Sequence, residues 1–202
     1  MLERLIEIDQ ELLIFLNGFH NSFFDVLMYW MTSMWFWFPL LAIIIWIMWK
    51  YYHKKFWLIL AFFALSIVFS DQSSNWIKHK VERYRPSNEK SGISEQLHLH
   101  VNKDGSVYRG GQYGFVSSHA ANSFSLIVLF MYFFTPINRK VRWLFPLWGI
   151  LFSYTRIYLG VHYPGDILCG ALLGLCCGFF TLWLYTLAEK NIKFHEEKEV
   201  RE

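Results

Sequence analysis

An arginine, a histidine and an aspartate punctuate the junction between two apolar segments: Thr155-Arg156-Ile157-Tyr158-Leu159-Gly160-Val161-His162-Tyr163-Pro164-Gly165-Asp166. Arg156 can hold an anion with its planar fork of donors. His162 can attack an electrophile or carry a proton near neutral pH. Asp166 follows four residues later, one helical turn on, where a carboxylate can orient the imidazole. Two further polar clusters offer matching chemistry. Lys78 and Arg85 are seven residues apart, two helical turns, and together can grip two oxygens of a phosphate. Pro86 ends that helix and disfavours helical backbone at Arg85. Ser117-Ser118-His119 precedes an apolar block, where the free N–H groups of a helix start favour an anion and a histidine can protonate a leaving oxygen. Each cluster also has a plain structural use. Basic side chains anchor helices at a membrane edge, a serine caps a helix, and an aspartate in a first turn complements the helix dipole.

The elements that must position these residues are those of a membrane protein. The chain has 202 residues, 54% hydrophobic, 20% aromatic and 17% charged. Such a composition, with the apolar residues in long blocks, excludes an ordinary soluble domain. The net charge of +3 is small, and nothing in it points to nucleic acid. Residues 1–18 carry Glu3, Glu7, Asp9 and Glu11 and no basic leader, so no secretory signal is expected there. Cys169, Cys176 and Cys177 all fall in the last apolar block, where they read as small packing residues rather than a disulfide framework or a zinc site.

The expected fold class is all-α: one integral membrane bundle over residues 1–202 with about five transmembrane helices. An interfacial N-terminal segment occupies residues 1–25, its amphipathic helix ended by Asn17-Gly18. Residues 26–49 hold no charged side chain and suit the first span, with Trp35, Trp37, Trp46 and Trp49 as aromatic belts. After Lys50, His53, Lys54 and Lys55, residues 56–70 form the second span, whose helix is expected to continue through Asp71 to Lys78 with a polar face turned to a cavity or partner. Residues 86–116 form a long extramembrane loop on the active-site side, with a hairpin turn at Asn102–Gly105. Spans over about Ala120–Phe134, Trp143–Leu159 and Ile167–Ala188 follow, the last with a Gly170/Gly174 pair suited to close helix approach. A charged cytoplasmic tail, residues 189–202, is expected to be solvated and frayed. Five crossings bring the three clusters to one face. The basic Lys50–Lys55 and Arg139–Arg142 loops mark the other face as cytoplasmic. His98 and His100 alternate as a metal-binding pair would, but no third ligand is evident and no metal site is expected.

Taken in order, Lys78-x6-Arg85-Pro86, Val116-Ser117-Ser118-His119 and Thr155-Arg156-x5-His162-x3-Asp166 closely resemble the three-part signature of the type 2 phosphatidic acid phosphatase family. That family includes membrane lipid phosphatases and soluble vanadium haloperoxidases. The chain departs from the usual Pro-Ser-Gly-His at Val116 and Ser118, and from Ser-Arg at Thr155. The resemblance implies His162 as nucleophile through a phosphohistidine, Asp166 orienting it, and His119 as acid and then base. It implies Lys78, Arg85, Ser117, the Ser118 amide and Arg156 as phosphate ligands, with no metal or other cofactor. The implied partner is a lipid phosphate or diphosphate within the bilayer: undecaprenyl diphosphate, a lipid A phosphate, phosphatidylglycerophosphate or phosphatidic acid. The implied location is a bacterial inner membrane with the site facing the periplasm. Two alternatives share the anion cradle, a non-enzymatic headgroup binder or transport component and a haloperoxidase. The apolar spans argue against the latter, and the His119, His162 and Asp166 set against the former.

Overall fold

The computed structural model describes residues 1–102 and 104–199, and these form seven α-helices with short 3₁₀ turns between some of them. They are α1 (Leu2–Asn17), α2 (Ser22–Met31), α3 (Met34–Tyr52), α4 (Phe56–Val81), α5 (Ser118–Phe134), α6 (Leu144–Tyr158) and α7 (Pro164–Glu199). Among the described residues there is no extended strand, only isolated antiparallel bridges at Tyr84–Tyr113 and Val101–Val107. The second bridge closes the expected hairpin, with Asn102 N–H donating to Ser106 O at 2.8 Å.

Two helical stretches are long and apolar enough to cross a bilayer, Trp35–Val81 and Pro164–Ile192, and Ser118–Phe134 is a shorter apolar helix. The first stretch is a hairpin of α3 and α4 joined at His53–Lys55. Large apolar side chains face outward as well as inward: Trp57, Val68, Leu147, Ile150, Leu168, Leu172, Phe179 and Trp183 are all exposed. A surface of that kind suits lipid rather than water.

At one end, Phe56, Ile59, Phe63, Phe130, Phe133, Phe145 and Tyr185 make an aromatic-rich core. Near it, the Tyr52 hydroxyl donates to Phe133 O at 2.5 Å and Lys55 pairs with Glu189 at 2.7 Å. The α3–α4 turn, the α5–α6 turn and the far part of α7 therefore share that end. The opposite end gathers α1, the 82–117 connection and the α6–α7 turn. There, buried Asn17 donates to Tyr158 O at 2.7 Å and accepts from His98 N–H at 2.7 Å, tying α1, α6 and the long loop together.

Polar and small side chains let the central helices approach. Ser66, Ser70 and Ser74 recur every fourth residue on α4 and are buried. Opposite them on α5 stand Ser118, Asn122 and Ser125, and Ser70 Oγ donates to Asn122 Oδ1 at 2.6 Å. On α7, a Cβ at Gly170, Gly174 or Gly178 would come within 2.7 Å of the Ser117, Ala121 or Ser125 carbonyl oxygen of α5. The glycine contact expected at Gly170 and Gly174 is thus with α5, and it runs one turn further.

The structure corrects three expectations. Helix α4 ends at Val81, with Glu82 in the left-handed conformation, rather than at Pro86. The uncharged 26–49 block is not one helix. It breaks at Thr32-Ser33, where extended Ser33 caps α3 through its hydroxyl and Thr32 accepts a hydrogen bond from Arg156. The tail is not frayed at its start, since α7 stays helical to Glu199; residues 200–202 of the predicted tail lie outside the described residues.

Candidate active site

The α6–α7 turn is wound so that His162 is held from several directions. The Val161 and His162 N–H groups both donate to Arg156 O, at 3.0 and 3.3 Å. Gly160 takes the left-handed conformation at φ 65°, and a Cβ there would strike Leu99 at 2.6 Å. Pro164 then opens α7 and places Asp166 in its first turn. The site is nearly sealed from solvent: relative exposure is 1% for His162, 0% for Asp166, 2% for Arg156 and 8% for Arg85.

His162 Nδ1 lies 3.3 Å from Asp166 Oδ2, and its Nε2 lies 2.9 Å from Arg85 Nη1. A guanidinium only donates, so Nε2 must be the lone-pair nitrogen and Nδ1 carries the proton toward Asp166. Burial, then the positive charges of Arg85, Arg156 and Lys78, hold the His162 imidazole well below the usual histidine range. The ring is therefore neutral, with a free lone pair, at neutral pH.

Arg85 also donates to Tyr113 O at 3.0 Å and to Val161 O at 3.3 Å. Its burial, then Arg156, press its guanidinium down to about 10, and it stays charged. Gly114 lets this strand of the loop close on the site, since a Cβ there would meet Asp166 Oδ2 at 2.9 Å and Arg85 Cγ at 3.3 Å. Arg156 Nη1 donates to Thr32 Oγ1 at 2.5 Å and to the Tyr108 hydroxyl at 3.2 Å, while its buried Nε has no hydrogen-bond partner. Such an orphan donor is costly unless a ligand fills it.

The α5 start supplies the third side. Ser117 N–H donates to Asp166 O at 3.0 Å, and its hydroxyl caps α5 by accepting from Ala120 N–H. The plain helix-capping reading therefore describes the Ser117 side chain here. Lys78 Nζ donates to Ser118 Oγ, which also bonds Ser74 Oγ at 2.8 Å. The serine that replaces the family's glycine thus holds the lysine. The His119 ring stacks against Phe152 at 5.5 Å, and the positive charges acting on it are Arg156, Arg85 and Lys78.

Every residue singled out from the sequence for phosphate chemistry falls in this one cluster: Lys78, Arg85, Ser117, Ser118, His119, Arg156, His162 and Asp166. Among the described residues, none of Lys78, Arg85 and Arg156 has a carboxylate oxygen within 4.0 Å. Three cations in a low-dielectric recess without a counter-ion call for an anion. Sequence reasoning missed Arg83, Asp9, Ser74, Tyr108 and Gly114. Arg83 donates to Asp166 Oδ1 at 2.9 Å and to Asp9 Oδ2 at 2.8 Å. Only the serine spacing on α4 left a legible signal, because the others meet across long sequence separations. His98 and His100 serve the loop instead: His98 Nε2 lies 3.0 Å from Asp25 and its ring stacks on His20, and His100 stacks on Tyr29. Among the described residues no group of three or more His, Cys, Asp and Glu is placed to hold a metal ion.

The PAP2 superfamily profile matches residues 55–190. The chain belongs to the PAP2 superfamily. It is 40% identical over 195 residues to a lipid A 4'-phosphatase of Bacteroides thetaiotaomicron, covering 94% of this chain and 81% of the relative. It is 31% identical to a lipid A 4'-phosphatase of Porphyromonas gingivalis, covering 94% and 78%. The crystal structure of Aquifex aeolicus LpxE superposes with a TM-score of 0.64 at 23% identity, over 85% of this chain and 93% of that one. At that identity the likeness shows the fold alone. This PAP2 protein is a membrane phosphatase, and the family its signature resembles is the one it belongs to.

Proposed function

We propose that this PAP2 phosphatase removes a phosphate from lipid A, or from a lipid of the same sugar-phosphomonoester kind, through a phosphohistidine on His162. The observation that carries the reading is the His162 imidazole, its Nε2 lone pair aimed at the Arg85 guanidinium and its Nδ1 held by Asp166. A phosphate oxygen taking over Arg85 sets phosphorus before Nε2. The Nε2–P bond forms as the P–O bond to the sugar breaks, and His119 gives its proton to the leaving oxygen. Asp166 stabilises the imidazolium-like ring. Water then gives a proton to His119 and attacks phosphorus, the P–N bond breaks, and inorganic phosphate leaves. Lys78, Arg85, Arg156 and the first-turn amides of α5 stabilise the charge on the transferring phosphoryl group.

Two relatives named as lipid A 4'-phosphatases, each matched over almost the whole chain, favour lipid A over a prenyl diphosphate. In this reading α3 to α7 make five crossings of a bacterial inner membrane. The basic loops and the α7 tail are cytoplasmic and the site opens to the periplasm. The outward apolar faces of α6 and α7 leave acyl chains in the bilayer while the headgroup enters.

The purified protein in detergent should release phosphate from hexa-acylated lipid A bisphosphate, with the 4'-phosphate lost by mass spectrometry and with vanadate inhibiting. Turnover of undecaprenyl diphosphate or phosphatidylglycerophosphate with lipid A untouched would overturn the substrate assignment.

A further inference from the structure

Arg83 stands two residues before the arginine of the signature and is not part of it. Its guanidinium joins a chain of contacts that begins on α1 and ends at His162. Nη2 donates to Asp9 Oδ2 at 2.8 Å, and Nη1 donates to Asp166 Oδ1 at 2.9 Å. The guanidinium lies 3.8 Å from the centre of the Tyr163 ring. The other Asp9 oxygen accepts Gly165 N–H at 2.7 Å, and a Cβ at Gly165 would meet Asp9 Oδ2 at 2.9 Å. The Arg83 carbonyl is fixed too, accepting Gly114 N–H at 2.8 Å. With Oδ1 of Asp166 occupied in this way, Oδ2 is left for His162 Nδ1 and for Tyr163 N–H at 3.1 Å.

The charge balance sets Arg83 apart from the phosphate-facing cations. Lys78, Arg85 and Arg156 have no carboxylate partner among the described residues, whereas Arg83 has two. Its charge is already neutralised, so it is poorly suited to hold a phosphoryl oxygen. Its planar fork suits a different task, meeting two carboxylates on two helices at once in a fixed geometry that a rotatable lysine ammonium does not impose. We propose that Asp9 and Arg83 are positioning residues that fix the rotation of the Asp166 carboxylate, which makes α1 part of the catalytic scaffold. The proposal rests on the reading of His162 as nucleophile. A carboxylate pinned at one oxygen cannot swing away from the imidazole, and a misplaced nucleophile costs far more rate than binding.

A merely structural role, stapling α1 to the bundle, would change the folded fraction and leave kcat per folded molecule alone. The test uses the full chain in detergent, phosphate release from lipid A, and kcat, KM and thermal midpoint for each variant. Arg83→Gln should lower kcat about 30- to 100-fold with KM within about threefold, and Asp9→Asn should lower kcat about five- to tenfold. The double variant should match Arg83→Gln alone, because Asp9 acts through the guanidinium. Arg83→Lys should recover only part of kcat, since it keeps the charge and loses the fork. A kcat for Arg83→Gln within about threefold of the parent, or losses that multiply in the double variant, would overturn the proposal. If Arg83→Gln does not fold, near-isosteric Asp9→Asn decides, and an unchanged kcat there overturns it equally. An active His162→Ala would overturn the nucleophile reading itself. An inactive His162→Ala beside an unaffected Arg83→Gln would overturn the positioning role alone.

Discussion

Arg85 Nη1 sits 2.9 Å from His162 Nε2, so the signature's second cation faces the lone pair of its nucleophile candidate. The two residues are 77 apart in the chain and both are buried. The pairing leaves the Nε2 lone pair facing a cation, and in the proposed mechanism it is this nitrogen that attacks and this cation that meets the substrate's charge.

The depressed basicity of His162 gives a pH expectation. Burial first, then Arg85, Arg156 and Lys78, keep the folded ring neutral well below the ordinary histidine value of 6.5. The acid limb of kcat/KM assigned to His162, which reports the free enzyme, should therefore lie below pH 6.5. The linkage has the matching sign. Below about pH 6.5 the unfolded chain binds a proton at this position that the folded chain refuses, so this group costs stability as pH falls through that value. The thermal midpoint of His162→Gln should be less sensitive to acid than that of the parent.

The unpartnered cations predict tight oxyanion binding. Arg156→Met should weaken vanadate inhibition about 10- to 150-fold, the range for losing a hydrogen bond to a charged group of about 1.5–3 kcal/mol. Inhibition constants measured at constant ionic strength read this directly. An unchanged constant would place Arg156 outside the anion cradle.

Ser118 replaces a glycine and its hydroxyl accepts from Lys78. Ser118→Ala removes that tether while keeping the backbone, and should raise KM or lower kcat/KM about three- to tenfold, as one hydrogen bond of about 1 kcal/mol implies. Steady-state kinetics on lipid A would show it, and Ser74→Ala should act in the same direction more weakly.

Gly114→Ala should be far more damaging. Its Cβ would press on Asp166 Oδ2 at 2.9 Å and on Arg85 Cγ at 3.3 Å, displacing both partners of His162. We expect a loss of about 100-fold or more in kcat, as a misplacement of order 1 Å produces. Gly174→Ala, by contrast, should act on stability. Its Cβ would fall 2.2 Å from Ala121 O in the α5–α7 contact, and overpacking of this kind costs about 1–3 kcal/mol. The thermal midpoint in detergent separates the two outcomes.

Most of the candidate site is legible in the sequence because the chemistry proposed for it lies in residue types at fixed spacing. His162 and Asp166 sit one turn apart, and Lys78 and Arg85 flank one helix end; such spacings survive without coordinates. The α4 helix running on through Asp71 to Lys78 and the Gly170/Gly174 contact were legible for the same reason. The Asp9–Arg83–Asp166 bridge was not. Its members are separated by 74 and 83 residues, and an acid on an amphipathic N-terminal helix looks like any solvated charge. The break at Thr32-Ser33 was hidden similarly, because it answers to Arg156, 124 residues away. The placement of the loop bearing Tyr108 and Gly114 depends on tertiary contacts such as Arg85 with Tyr113, which no local pattern encodes.

The central claim is a covalent phosphate on His162. The purified phosphatase mixed with ³²P-labelled lipid A and quenched in base should retain label that acid releases, as a phosphohistidine does, and mass spectrometry should place it on His162. His162→Ala should show neither label nor turnover. Label retained by His162→Ala, or full phosphate release without any labelled protein at early times, would contradict the account.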